Sequence, residues 1–113
     1  MSKVTGVEIN SKMFQNYIKA LINKFFKILP MWEQCEGTAD DSLITYMQSF
    51  QAELLGCKEL VSEIKSDEAY LTLIAILQYL IDNPSLTVKT VRREVFKAIS
   101  LCNKLISVYV TKV

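Results

Sequence analysis

Glu59 and Glu63 are the residues of this chain whose type and spacing come closest to a catalytic pair. Four residues apart on a helix, two carboxylates share one face and could hold a divalent cation or act as an acid and a base. Lys58 and Lys65 lie next to them in the sequence, and acids interspersed with lysines are more typical of a solvated helix face. We therefore expect a charged surface here rather than a metal site.

The sequence contains no histidine, and this removes the commonest general base near neutral pH and the commonest metal ligand. Catalytic triads and metal motifs that need histidine cannot form within one chain. The glycines Gly6, Gly37 and Gly56 stand alone, so a Gly-rich phosphate loop is excluded. Cys35 has no histidine to activate its thiol. These exclusions predict a protein that is not an enzyme and that needs no cofactor or metal.

Basic side chains near the end of the chain offer a different chemistry, the binding of anions. The stretch 83–99 reads NPSLTVKTVRREVFKAI, and a helix beginning near Thr87 would place four basic residues on one face: Lys89, Arg92, Arg93 and Lys97. The stretch resembles the opening of winged-helix and helix-turn-helix domains, in which Asn-Pro closes an apolar helix and Thr-Val-Arg-Arg begins the recognition helix. It departs from them because the short helix and turn that normally intervene are missing. The resemblance implies a DNA-binding regulator that uses these basic residues.

Charge is arranged in blocks along the chain, although 13 bases nearly balance 12 acids and leave a net charge of +1. Segments 1–30 and 85–113 are basic, and segment 31–68 is acidic. Neighbouring helices could complement each other across the surface of the protein and require no partner. Alternatively, the first and last helices form a basic face and the second forms an acidic face, which would suit head-to-tail assembly or a charged partner.

Apolar residues recur at helical spacing in four segments. Asn10 or Ser11 would cap the start of the first helix, and Pro30 is expected to end it. A loop with a cap at Asp40 or Asp41 follows. The second helix, 42–65, has an apolar seam at alternating steps of four and three, which is typical of helices packed at a shallow angle: Leu43, Met47, Phe50, Leu54, Cys57, Val61 and Ile64.

The third helix is the most apolar segment of the chain. Residues 69–81 read AYLTLIAILQYLI, without a charge, and apolar side chains would point in most directions around the helix. Ser66 and Asp67 would provide a break and a cap before it, and it would end at Asn83 before a proline. About 20 Å of helix is too short to span a bilayer, so we expect other helices to cover it. A fourth helix would begin near Thr87, and its last nine residues could be helical or extended.

The sequence thus predicts an all-α fold, a compact bundle of four main helices with the apolar third helix at its centre. Residues 1–113 would form a single helical domain with a flexible or extended lead at 1–9. Three cysteines without a CxxC pair suit a reducing compartment. The N-terminal residues do not show the pattern of a secretory signal. We therefore expect the protein in the cytoplasm, without membrane attachment.

Several large side chains fall outside the main seams and could serve as interaction residues. Trp32 would either plug one end of the bundle or anchor an interface. The second and fourth helices carry further apolar residues off their seams, which predict a homodimer: Tyr46, Leu55, Leu60, Phe96, Leu101 and Ile106.

The expected function is that of a small helical interaction protein, an adaptor or inhibitor that binds a protein partner. Its size and its Lys-, Ile- and Asn-rich composition suggest a phage or mobile-element origin. Two alternatives remain open: the DNA-binding regulator and a sponge for a small ligand or nucleotide.

Overall fold

The computed structural model describes residues 11–60 and 67–111, and the side chains of 12–58 and 67–107. These residues form four α-helices and no strand: α1 (Ser11–Glu33), α2 (Asp41–Leu60), α3 (Glu68–Asp82) and α4 (Val88–Thr111). The prediction of an all-α four-helix bundle is confirmed. The lead at 1–9 lies outside the described residues.

The helices are arranged around a ring in an elongated bundle of 52 × 22 × 19 Å. Helix α1 packs against α2 and α4, and α3 packs against the same two helices on the other side. Helices α2 and α4 therefore occupy opposite corners, and their described backbones do not approach each other. The sequence did not establish this packing order.

One continuous apolar core runs along the bundle axis. All four helices contribute at the spacing of three and four residues that the sequence predicts. The residues of α2 illustrate the pattern, since the first four members of its predicted seam are buried: Leu43, Met47, Phe50 and Leu54. Over the described residues, none of the helices combines the length and apolar character that crossing a membrane requires.

The predicted start signals are confirmed for the last three helices. The Asp40 carboxylate accepts a backbone N–H from the first turn of α2 at 2.9 Å, and the Asp67 carboxylate does the same for α3 at 3.1 Å. The Thr87 hydroxyl accepts the N–H of Thr90 at the start of α4. Helix α4 continues to Thr111, so its final turns are helical rather than extended.

The prediction that Pro30 ends the first helix is wrong, because α1 continues to Glu33 with Pro30 inside it. A proline within a helix removes one backbone hydrogen bond. The last turn persists because Trp32 is buried against the core at 1% exposure and the N–H of Gln34 bonds to the Pro30 carbonyl at 3.1 Å. Tertiary packing thus outweighs the local preference of the proline.

Helix α3 is covered less completely than its sequence suggests. Its inner side is buried, including Tyr70 and Leu77, and it packs against both α2 and α4. Its outer side is exposed at Leu71, Ala75 and Tyr79. The most apolar helix of the chain therefore gives the bundle both part of its core and part of its apolar surface.

Candidate interaction surface

An exposed aromatic pair bridges α1 and α4 on the outside of the bundle. The rings of Phe26 and Phe96 meet edge to face, with their centroids 5.9 Å apart and an interplanar angle of 83°. Their exposed fractions are 42% and 47%. Two large aromatic side chains that are exposed together in this way form an apolar anchor point on the surface.

The helical period explains why these two rings lie outside. Each follows a core residue in the sequence, since Phe25 and Val95 are fully buried. A step of one residue turns a helix by about 100°, which carries the next side chain out of the core. Phe25 packs inward against Phe50, with ring centroids 4.7 Å apart.

The two helices that carry the aromatic pair are rich in basic residues. Helices α1 and α4 together carry nine basic residues and two acidic ones, and they lie side by side. Among the basic residues, Arg92 pairs with Glu33 across the two helices at 3.5 Å, and Arg93 approaches Glu94 at 4.0 Å. Exposed ion pairs of this kind contribute little to stability. We call this side of the bundle, with its two rings and its basic residues, the α1/α4 face.

The opposite side of the bundle is acidic. Helices α2 and α3 together carry five acidic residues and one basic residue. Lys24 of α1 forms an ion pair with Glu53 of α2 at the boundary between the two sides. The blocks of charge along the sequence therefore become two halves of the folded molecule, because α1 packs beside α4. We call the acidic side the α2/α3 face.

Five of the candidate interaction residues lie on the outside of α4: Lys89, Arg92, Arg93, Phe96 and Lys97. All are exposed. Because they belong to the first half of one helix, they occupy one end of the α1/α4 face.

The other two candidates have structural contacts instead. Of the two roles expected for Trp32, the structure shows the plug, since the indole is buried and its N–H donates to the Leu86 carbonyl at 3.1 Å. Tyr46 is half-buried, and its hydroxyl donates to the Lys24 carbonyl at 3.0 Å. Burial and the nearby Glu53 carboxylate raise the pKa of Tyr46.

A small polar cluster crosses the core between α1, α2 and α3. The Tyr70 hydroxyl donates to the Leu54 carbonyl at 2.8 Å, and the Tyr17 hydroxyl lies 3.4 Å from the Tyr70 hydroxyl. Burial raises the pKa of both tyrosines, with a further rise from the neighbouring Cys57 thiol. These hydroxyls stay neutral and satisfied, so the cluster fixes the register of three helices rather than forming a reactive site.

The region of the winged-helix resemblance has another role in this fold. The Asn83 side chain donates to the Tyr79 carbonyl at 2.8 Å and closes α3. The Pro84 carbonyl accepts the N–H of Ala39 at 2.7 Å, which ties the α3–α4 connection to the α1–α2 connection. The Asn-Pro pair therefore joins two loops at one end of the bundle.

The remaining sequence candidates lie elsewhere. The side chains of Glu59 and Glu63 are outside the described part of the structure. Cys35 and Cys57 are partly exposed and Cys102 is buried, and all three are free thiols. The Cys35 thiol donates to the Met31 carbonyl at 3.3 Å.

The sequence pattern did not identify Phe26 and Leu71 as surface residues, and the structure shows both exposed. Phe26 directly follows the core residue Phe25. The helical spacing of the apolar residues places Phe25 on the buried side of α1, and this could have shown that Phe26 lies outside the seam. Leu71 was assigned to a covered helix, and only the packing of α3 shows that its outer side is open.

Comparison with known proteins gives no match to a family model, to a curated protein or to a solved structure.

Proposed function

We propose that this protein is a non-enzymatic interaction protein that binds an acidic protein segment on its α1/α4 face. The observation that carries the proposal is the exposed Phe26–Phe96 pair within a basic surface. The rings would supply the buried anchor that dominates most protein interfaces. The surrounding bases would orient and attract a partner of opposite charge.

Several features favour a protein partner over DNA. Arg92 and Arg93 each have a carboxylate nearby, and these acids would oppose phosphate at the positions that the winged-helix resemblance assigns to DNA contact. An exposed phenylalanine pair gives a duplex backbone nothing to contact, whereas it suits an apolar side chain of a protein. DNA binding through Lys89, Arg92 and Arg93 is the alternative that the experiment below tests.

The finer role we propose is that of an adaptor or inhibitor in the cytoplasm. Three free thiols agree with a reducing compartment, and a small bundle with one prominent face suits a protein that occupies a surface of its partner. A phage or mobile-element origin is part of the same proposal and rests on size and composition.

The test uses defined polymers, because the natural partner is unidentified. Binding to a glutamate–tyrosine copolymer, to polyglutamate and to duplex DNA would be measured by titration calorimetry at about 50 mM and about 500 mM salt. We expect the copolymer to bind more tightly than polyglutamate, since it offers both acids and an aromatic anchor. Phe96→Ala should remove that difference.

Leu55→Ala is the matched control, because Leu55 is a similarly exposed apolar residue (43%) on the far side of the bundle. It should not weaken binding of the copolymer. Equal binding of both polymers, or equal loss in the two variants, would contradict the proposed anchor. Tight DNA binding that weakens steeply with salt and requires Arg92 and Arg93 would favour the regulator instead.

A further inference from the structure

The α2/α3 face carries apolar residues as prominent as those of the α1/α4 face. Leu55 and Leu71 are 43% and 39% exposed. Leu55 follows Leu54 in α2 and Leu71 follows Tyr70 in α3, and the Tyr70 hydroxyl donates to the Leu54 carbonyl. The two leucines therefore lie on neighbouring helices that pack together. The molecule thus presents one apolar site within a basic side and a second within an acidic side.

This arrangement disfavours the symmetric homodimer that the sequence suggested. A two-fold interface brings the same patch of both copies together. On the α1/α4 face it would oppose two strongly basic surfaces, and on the α2/α3 face two acidic ones. The apolar residues of α2 and α4 also cannot meet in one such interface, because these helices occupy opposite corners of the bundle.

We propose that the protein associates head to tail, with the α1/α4 face of one copy on the α2/α3 face of the next. Helices α1 and α4 carry nine bases and two acids, and helices α2 and α3 carry five acids and one base. Lys24 and Glu53 already pair within one copy, and the remaining surplus of bases on one side would oppose a surplus of acids on the other. It also places the Phe26–Phe96 pair against the exposed leucines. A net charge of +1 adds almost no overall repulsion between copies.

The size of the two faces is adequate for such a contact. A helix of 23 residues is about 35 Å long, and the bundle is about 20 Å across. The α1/α4 face therefore offers roughly 700 Å², and the α2/α3 face, built on helices of 20 and 15 residues, offers roughly 500 Å². A contact limited by the smaller face lies below the roughly 800 Å² per partner of a standard interface, which suits a weak, reversible association.

The inference rests on the proposed function, since the α1/α4 face is the same binding site. A second copy would occupy that site until an acidic partner displaces it. Because a head-to-tail contact leaves one free face at each end, association continues past the dimer unless the ring closes.

Two variants on opposite faces test the contact. Phe96→Glu alters only the α1/α4 face, and Leu71→Lys alters only the α2/α3 face. Sedimentation velocity would be run over roughly a hundredfold range of protein concentration, at about 50 mM and about 500 mM salt. Far-ultraviolet circular dichroism checks folding, and Phe26→Glu and Leu55→Lys replace either variant that loses helix.

For the wild-type protein we expect the mean mass to rise with concentration beyond two copies at low salt, and to fall at high salt. Each variant alone should stay monomeric. Their equimolar mixture should form dimers and stop there, because only one intact contact remains between the two variants.

Three outcomes would overturn the inference: a monomeric wild type at all concentrations, a variant that dimerises alone, or a mixture that stays monomeric. A variant that dimerises alone would indicate a symmetric interface on its intact face. The copolymer titration separates this inference from the proposed function. If the wild-type protein is monomeric and binds the copolymer through Phe96, the proposed function stands and self-association is rejected. If the protein self-associates but does not bind the copolymer, self-association stands and the proposed function is rejected.

Discussion

Replacing Trp32 with phenylalanine should destabilise the protein by about 2 kcal/mol. The indole is 1% exposed, and its N–H donates to the Leu86 carbonyl at 3.1 Å, which connects the last turn of α1 to the loop before α4. Loss of this hydrogen bond costs about 1 kcal/mol. The smaller phenyl ring leaves a void of a few tens of Å³, which costs about 1 kcal/mol more.

The assay is urea unfolding followed by circular dichroism, because the substitution removes the chain's single tryptophan. With an unfolding entropy of roughly 2.1 cal/mol/K per residue, a loss of 2 kcal/mol lowers Tm by about 8 °C in a domain of this size. Phe96→Ala is the matched control. Because Phe96 is nearly half exposed, its truncation should cost less than about 1 kcal/mol.

A loss below about 0.5 kcal/mol for Trp32→Phe would refute the reasoning, since neither the hydrogen bond nor the packing of the indole would then contribute as argued. An equal loss in Phe96→Ala would show that the outer rings stabilise the fold, and the α1/α4 face would lose its character as a free binding surface.

Three further substitutions and one pH dependence follow from the structure. Gly56→Ala should stabilise the protein by up to about 1 kcal/mol, because a Cβ there meets no atom within 4 Å and alanine favours the helix. Gly37→Ala should destabilise it by about 1 kcal/mol, because Gly37 has a φ of +90°, which a residue with a Cβ rarely adopts. Urea midpoints that move in the same direction would contradict this pair. Asp40→Ala removes the cap of α2 and should cost about 1 kcal/mol, against a smaller loss for Asp41→Ala, with Tm as the measurement. Burial raises the pKa of Cys102 to about 12 from an unfolded value of about 9, so the unfolded chain releases a proton that the folded chain keeps, and the free energy of unfolding should fall between these pH values. A Cys102→Ala variant with an unchanged slope in urea unfolding over this pH range would argue against burial of the thiol.

The sequence predicts the local features of this fold well, because they depend on residues close together in the chain. A cap at Asp40 or Asp41, a cap beside Asp67 and the first four positions of the α2 seam could be predicted from spacing, and the structure selects Asp40 and Asp67. The last two seam positions, Val61 and Ile64, lie outside the described residues. The prediction for Pro30 failed because the burial of Trp32, a tertiary effect, holds the last turn of α1.

The interaction surface was less predictable, because it depends on the order in which the helices pack. Blocks of charge in the sequence allowed either mutual neutralisation or two faces. The packing of α1 beside α4 places the basic blocks together. The same packing leaves Leu71 exposed and pairs Phe96 with Phe26. The spacing of apolar residues within one helix predicts neither of these, because both depend on which helices lie side by side.

Pro30 in α1 also changes the backbone hydrogen bonding of Phe26, a residue of the α1/α4 face. Pro30 has no N–H, so the carbonyl of Phe26 lacks its usual hydrogen-bond donor one turn ahead and is open to a hydrogen bond from another donor. This carbonyl belongs to Phe26, whose ring is one of the aromatic pair. A substitution that removes the ring leaves the backbone carbonyl in place. Only a residue other than proline at position 30 would restore the donor and return this oxygen to the helix.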